Sequence, residues 1–335
     1  MIELTLRAQL KYDVFGGPTF CRFLPLRESA QWRRLGGTQF DVRLYIDPKE
    51  HRGWVTDIDL AQIERHTNPS TTGLFIELRT NVDDQIAKAI ADAFEKSDAR
   101  EATHEFAAQV LETLRTVHAI FVGFVRHDYM QYWLRPWENH RLADTVNQRL
   151  AWYDARWEMP DSGWKVLHPQ CSRCQIVRTI VGRESATLTK EAWSSLEKGL
   201  SNGSYRAKPH RRLLANAFAQ FDRHELRAAI IEGVAAWEMV LGSVVPTRLA
   251  EQHIVFEESK WKAILEKTGL RAGTDLVLGL VPQLAGTYAG DLLKAVERRN
   301  NVIHGGATRL DAAEIERCLW ALRVTIGNCE GGGAF

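Results

Sequence analysis

The sequence predicts an α+β protein, with a sheet-and-helix region over residues 1–187 followed by an all-α bundle over 188–335. Three observations carry this. Apolar residues alternate at period two through the first eighty positions, and they recur at three- and four-residue spacing from 189 to the end. The length of 335 residues also exceeds the usual single-domain size, which favours two parts.

The elements follow in order. Ile2, Leu4, Leu6 and Leu10 alternate with Glu3, Thr5, Arg7 and Gln9, the pattern of a half-buried strand. Phe40, Val42, Leu44 and Ile46 repeat it, as do Leu74, Ile76 and Leu78, with Trp54, Thr56, Ile58 and Leu60 a weaker case. One largely antiparallel sheet is the economical reading. Asn81 is the expected cap of a helix over 81–95, and Ser97-Asp98 opens a longer one. In that second helix Phe106, Val110, Leu114, Val117, Phe121 and Phe124 form one apolar stripe. Pro136, Pro160 and Pro169 break the next stretch into short pieces, including a strand at 175–181. Helices are then expected over 189–199, around Leu214, Phe218 and Phe221, and from Leu226 to Leu241, with Pro246 beyond the end of the last. Fainter ones fall at 259–267 and 275–284. The last two are the clearest: 291–304, stopped by Gly305-Gly306, and 308–327, capped by Thr308 with Ile315, Leu319, Leu322 and Ile326 facing inward.

Composition narrows the functional classes. The apolar fraction of 45% and charged fraction of 25% suit a globular protein with a core. Five of the eleven tryptophans, Trp133, Trp137, Trp152, Trp157 and Trp164, crowd one stretch and suggest a bulky core or an interface. A net charge of +1 excludes a globally basic nucleic-acid binder, so any phosphate-binding surface is local. Its best location is 206–227, where Arg206, Lys208, Arg211, Arg212, Arg223 and Arg227 meet only Asp222 and Glu225, although a solvated helix face explains such a run as well. Five sparse cysteines do not form a secreted disulfide framework, no membrane span or leader is read, and a cytoplasmic location is expected.

The helix over 291–304 carries the chemistry. Leu292, Val296 and Ile303 lie on one stripe, and Arg299 falls on it between Val296 and Ile303. A guanidinium on a packing face needs a carboxylate, a phosphate or a wet cleft. Asn300 and His304 are four apart and share an adjacent face. An arginine, an amide and an imidazole thus gather at a helix end beside two glycines, an arrangement suited to handling an anion.

The run Arg299-Asn300-Asn301-Val302-Ile303-His304 resembles the Arg-x4-His motif of HEPN domains, including the Asn directly after the Arg. Leu213-Leu214-Ala215-Asn216-Ala217, Glu225 to Glu232 and Trp237-Glu238 are similar to the paired helices that precede the motif in such bundles, so the resemblance spans roughly the last 140 residues. It implies a metal-independent endoribonuclease without a cofactor, acting as a homodimer in which two motif copies face each other. It also implies an RNA substrate, products ending in 2′,3′-cyclic phosphate, and a toxin or phage-defence role with a neutralising or regulatory protein partner. His304 would then move the proton at the ribose 2′-hydroxyl or leaving oxygen, since an imidazole ordinarily titrates near neutral pH. Arg299 would hold the scissile phosphate, and Asn300 would orient the imidazole or a phosphate oxygen. Glu238 is the expected partner of Arg299, with Asn301 in support. Lys208, Arg211, Arg212 and, beside the motif, Arg298 are the candidate RNA-contacting cations.

Other readings stand beside this one. An Arg and a His near a helix C-terminus also complement the dipole and cap its carbonyls. A HEPN-like bundle can equally serve as a non-catalytic dimerisation, nucleotide-binding or protein-interaction module. His168, Cys171 and Cys174 offer three zinc ligands, one short of a structural site unless His140 or Cys21 completes it. His104-Glu105 fails the zincin pattern, His118 and His127 read as packing residues, and Asp57 and Asp59 read as solvent-facing. No Gly-rich phosphate loop occurs.

Overall fold

The computed structural model describes residues 1–10, 12–15, 25, 27–46, 70–71, 74–96, 101–128, 132, 153, 155–166, 178–181, 190–305 and 309–331. The strands are β1 (Ile2–Leu10), β2 (Tyr12–Phe15), β3 (Arg33–Arg34), β4 (Asp41–Ile46), β5 (Ser70–Thr71), β6 (Leu74–Val82), β7 (Arg156–Glu158), β8 (Lys165–Val166) and β9 (Arg178–Val181). The helices are α1 (Asp84–Lys96), α2 (Glu101–His127), α3 (Lys190–Asn202), α4 (Pro209–Asp222), α5 (Leu226–Ser243), α6 (Val245–Glu251), α7 (Glu258–Leu280), α8 (Ala289–His304) and α9 (Ala312–Cys329). The protein is thus α+β, a sheet-and-helix region followed by helices. The strand signal at 54–60, the start at Ser97-Asp98, the cap Thr308, Asp57, Asp59, His140, Cys21 and the candidate zinc ligands His168, Cys171 and Cys174 lie outside the described residues.

The chain forms two compact units. Of the described residues, those up to 125 and from 153 to 206 make the first, and 126–132 with 207–331 make the second. Helix α3, which periodicity grouped with the C-terminal bundle, belongs to the first. Two glycines explain this. A Cβ on Gly36 would stand 2.5 Å from the backbone of Asn202, and one on Gly203 2.3 Å from the Gly36 carbonyl, so the two backbones touch. The Gly36 N–H donates to the Leu200 carbonyl at 3.2 Å, and Arg33 reaches Glu197 at 2.6 Å.

In the first unit a six-stranded sheet runs β3-β4-β6-β1-β7-β8 with every pair antiparallel, while a small second sheet, β5-β2-β9, pairs β2 and β9 in parallel. Period-two alternation sets the register, with Leu6 opposite Leu78 and Ala8 opposite Ile76. Leu4, Leu6, Leu10, Val42, Leu44, Ile76 and Leu78 are buried on one face, and so is the α2 stripe from Phe106 to Phe124. The other face is not the solvated one that alternation predicts. Arg7, Glu77 and Arg43 form a row across β1, β6 and β4. Glu77 is fully buried, and it accepts from Arg27 at 2.9 Å, Arg43 at 2.6 Å and the Tyr45 hydroxyl at 2.7 Å. A buried carboxylate survives only with such partners. β6 continues through Asn81, so α1 starts later than expected and Asp83 caps it, accepting from the Ile86 N–H at 3.0 Å.

In the second unit α5 is central, with α4, α6, α7, α8 and α9 all packed against it. Its 18 residues are apolar nearly all round, as a core helix must be. The buried indoles of Trp237 and Trp261 donate to Thr274 Oγ1 and the Leu241 carbonyl, each at 2.9 Å. Gly233 lets α9 approach closely, since a Cβ there would lie 2.8 Å from Leu319 Cδ2. Ile315, Leu319, Leu322 and Ile326 are all fully buried. The cap of α9 is Asp311, whose carboxylate accepts from the Ala313 N–H at 3.1 Å. Pro246 does not end the helical run. It sits in the first turn of α6, where a missing N–H costs nothing.

Among the described residues one helix, Glu105–His127, is long and apolar enough to cross a membrane, which corrects the sequence expectation of none; 61% of its apolar window is buried inside the protein.

Candidate functional site

The candidate site is the end of α8. Leu292, Ala295 and Val296 are fully buried and fix the helix against the second unit's core. The stripe then leaves the core. The Arg299 side chain keeps 26% of its surface, and Ile303, expected to be buried, is 45% exposed. Val302 in the last turn still packs on the core, but Arg299 and Ile303 lie off it, and a guanidinium at position 299 bears little of the desolvation cost that a continuous stripe implies.

Arg299 is held on two sides. Nη2 lies 3.7 Å from Glu238 Oε2 on α5, and Nη1 donates to Asn300 Oδ1 at 3.1 Å. Glu238 keeps 55% of its side-chain surface, so the pair is solvated and leaves the guanidinium able to bind an oxyanion. His304 and Asn301 are exposed, and among the described residues neither side chain makes a hydrogen bond or ion pair. The Gly305 N–H bonds the Asn301 carbonyl at 3.0 Å and closes the helix. The end of α8 thus presents a positioned cation with its carboxylate and amide, and an imidazole five residues on that no described residue holds.

The four cations proposed to contact RNA divide. Arg212 is exposed and free of ion pairs among the described residues. Arg298 turns away from the motif and donates to Glu314 on α9 at 3.0 Å. Arg211 is 12% exposed and structural. Its Nε donates to Glu330 at 2.7 Å, and its Nη1 to Asp128 at 2.8 Å and to the His127 carbonyl at 3.2 Å. Lys208 reaches the other Glu330 oxygen at 2.8 Å, where His210 Nε2 also lies at 3.0 Å. Two of the six cations in the predicted basic patch, Lys208 and Arg211, therefore serve the buried Glu330 carboxylate.

That network escaped the sequence reading. Burial pushes the Glu330 carboxyl up, but the His210 hydrogen bond, the Arg211 charge and Lys208 outweigh it and hold the group at about 2. Burial likewise lowers His127 to about 4, with the Arg126 charge second. His118, expected to be a packing residue, is buried with Nδ1 3.2 Å from the Tyr153 hydroxyl. Burial lifts the free thiols of Cys318 and Cys329 to about 12, which disqualifies both as nucleophiles. Among the described residues no three His, Cys, Asp or Glu side chains gather to hold a metal.

Comparison with known protein families, curated proteins and solved structures returns no match.

Proposed function

We propose that this chain is a metal-independent endoribonuclease of the HEPN type, working as a homodimer in the cytoplasm. The supporting observation is the end of α8, where Arg299 is positioned by Glu238 and Asn300, and His304, a turn and a half further on, is exposed and makes no hydrogen bond or ion pair among the described residues. In this reading Arg299 binds the scissile phosphate and stabilises the charge that develops on it. His304 transfers the proton at the 2′-hydroxyl or the leaving oxygen. Arg212 contributes attraction for the backbone. The homodimer is supported by the apolar neighbours of the pair, since Met239 beside Glu238 and Ile303 one turn past Arg299 keep 40% and 45% exposure. A second copy docked there would also immobilise the imidazole. A toxin or phage-defence role and a neutralising protein partner follow from the HEPN resemblance alone.

The alternative is a non-catalytic HEPN-like bundle used for dimerisation or partner binding, and it is favoured by the His304 ring, which makes no hydrogen bond or ion pair among the described residues. Incubating purified protein with single-stranded RNA in EDTA separates the two. The nuclease reading expects fragments ending in 2′,3′-cyclic phosphate from a protein of twice the chain mass in solution. Intact RNA from a folded dimer would establish the adaptor.

A further inference from the structure

A second site lies in the first unit. On α3, Ser195, Lys198 and Asn202 recur at three- and four-residue spacing and face one cavity of about 420 Å³. Gly203, at φ +66°, reverses the chain so that Ser204, Tyr205 and Arg206 return as the opposite wall. Two further glycines set the wall's depth. Gly199 has Ile120 and the Ser204 carbonyl at 3.0 and 3.5 Å from where a Cβ would stand, and the Tyr205 ring fills the place of a side chain on Gly123.

The lining is chemically one-sided. Lys198 and Arg206 are exposed and make no ion pair among the described residues. Ser195, Asn202 and Ser204 add neutral donors, and among the described residues none of their side chains is engaged within the protein. One carboxylate beside it, Glu197, is committed to Arg33 at 2.6 Å. The α3 carbonyls that would repel an anion are partly satisfied, Leu200 by the N–H groups of Gly36 and Gly203, and Gly199 by that of Ser204. Among the described residues the lining offers two free cations and three unspent donors without a carboxylate, which complements a small dianion rich in oxygen. A phosphate monoester carries about two negative charges near pH 7. The volume lies within the range of small-molecule pockets and exceeds the needs of phosphate alone.

We propose that this cavity binds a phosphate monoester of nucleotide size, with Lys198 and Arg206 on the phosphate and Ser195, Asn202 and Ser204 as accessory donors. The probe is AMP, followed by thermal unfolding of the full chain, with adenosine as control. At roughly a hundred times Kd, AMP raises Tm by about 5 °C, and adenosine leaves it unchanged. The Lys198→Ala/Arg206→Ala double variant unfolds at the unliganded wild-type temperature and loses the AMP shift, since each charged hydrogen bond is worth about tenfold to a hundredfold in affinity. Lys198→Arg with Arg206→Lys keeps the shift, and so does His304→Ala, because the cavity does not depend on the nuclease reading. An equal shift with adenosine, an undiminished shift in the alanine double variant, or none at millimolar AMP overturns the assignment.

Discussion

Replacing Glu330 by glutamine tests the physical reading of the second unit most severely. The carboxylate is almost fully buried and receives Lys208, His210 and Arg211. Those contacts outweigh its burial and hold its pKa near 2, against an ordinary 4.5. Each unit of that difference is about 1.4 kcal/mol, so ionised Glu330 contributes about 3 kcal/mol at pH 7. Because the folded-state value is the lower one, the unfolded chain binds more protons between about pH 2 and 4.5, and the contribution is complete above that window. It shrinks as pH falls, to under half by pH 3. Glutamine keeps the shape but not the charge, leaving Arg211 with Asp128 as its one carboxylate among the described residues. Urea unfolding of wild type and Glu330→Gln at pH 7 and pH 3 reads this directly. The expected gap is about 3 kcal/mol at neutral pH and about 1 kcal/mol at pH 3. Coincident curves at pH 7, or a gap independent of pH, would refute the reasoning.

Two further predictions concern neighbouring residues. Arg211→Ala takes the guanidinium from buried Asp128 and leaves Glu330 with only Lys208 and His210, and should cost about 3–5 kcal/mol in urea unfolding, whereas Arg212→Ala should leave stability unchanged and weaken RNA binding with a shallower salt dependence, measured by filter binding. Equal stability losses in the two would contradict the assignment of one as structural and the other as free. Gly233→Val drives a branched side chain into Leu319 and Leu322 across the α5–α9 contact, and a thermal scan should show a loss of about 1–3 kcal/mol.

Much of the fold was legible because periodicity reports burial. The register of β1 against β6 and the inner face of α9 follow from the spacing of Leu and Ile residues. What stayed hidden depends on distant partners. Glu330 meets Arg211 across 119 positions, and nothing near either residue announces the other. The polar face of the sheet read as solvated because alternation cannot tell a buried Arg7–Glu77–Arg43 row from an exposed one. Ile303 read as buried because its spacing is correct; its neighbour Val302 packs on the core instead, and sequence does not mark which side of the last turn a neighbouring helix covers. The Arg299–Glu238 pair was legible because each interrupts an otherwise apolar pattern.

In the proposed nuclease, Arg299 and His304 perform RNA cleavage. Cleavage rates of wild type, Arg299→Ala and His304→Ala on one RNA, in EDTA and with Tm checked for each, test it directly. Both side chains are off the core, so the variants should melt with wild type. Each should cleave at least about a hundredfold more slowly, the scale of a lost proton-transfer or charge-stabilising group. Undiminished cleavage in either folded variant would contradict the assignment.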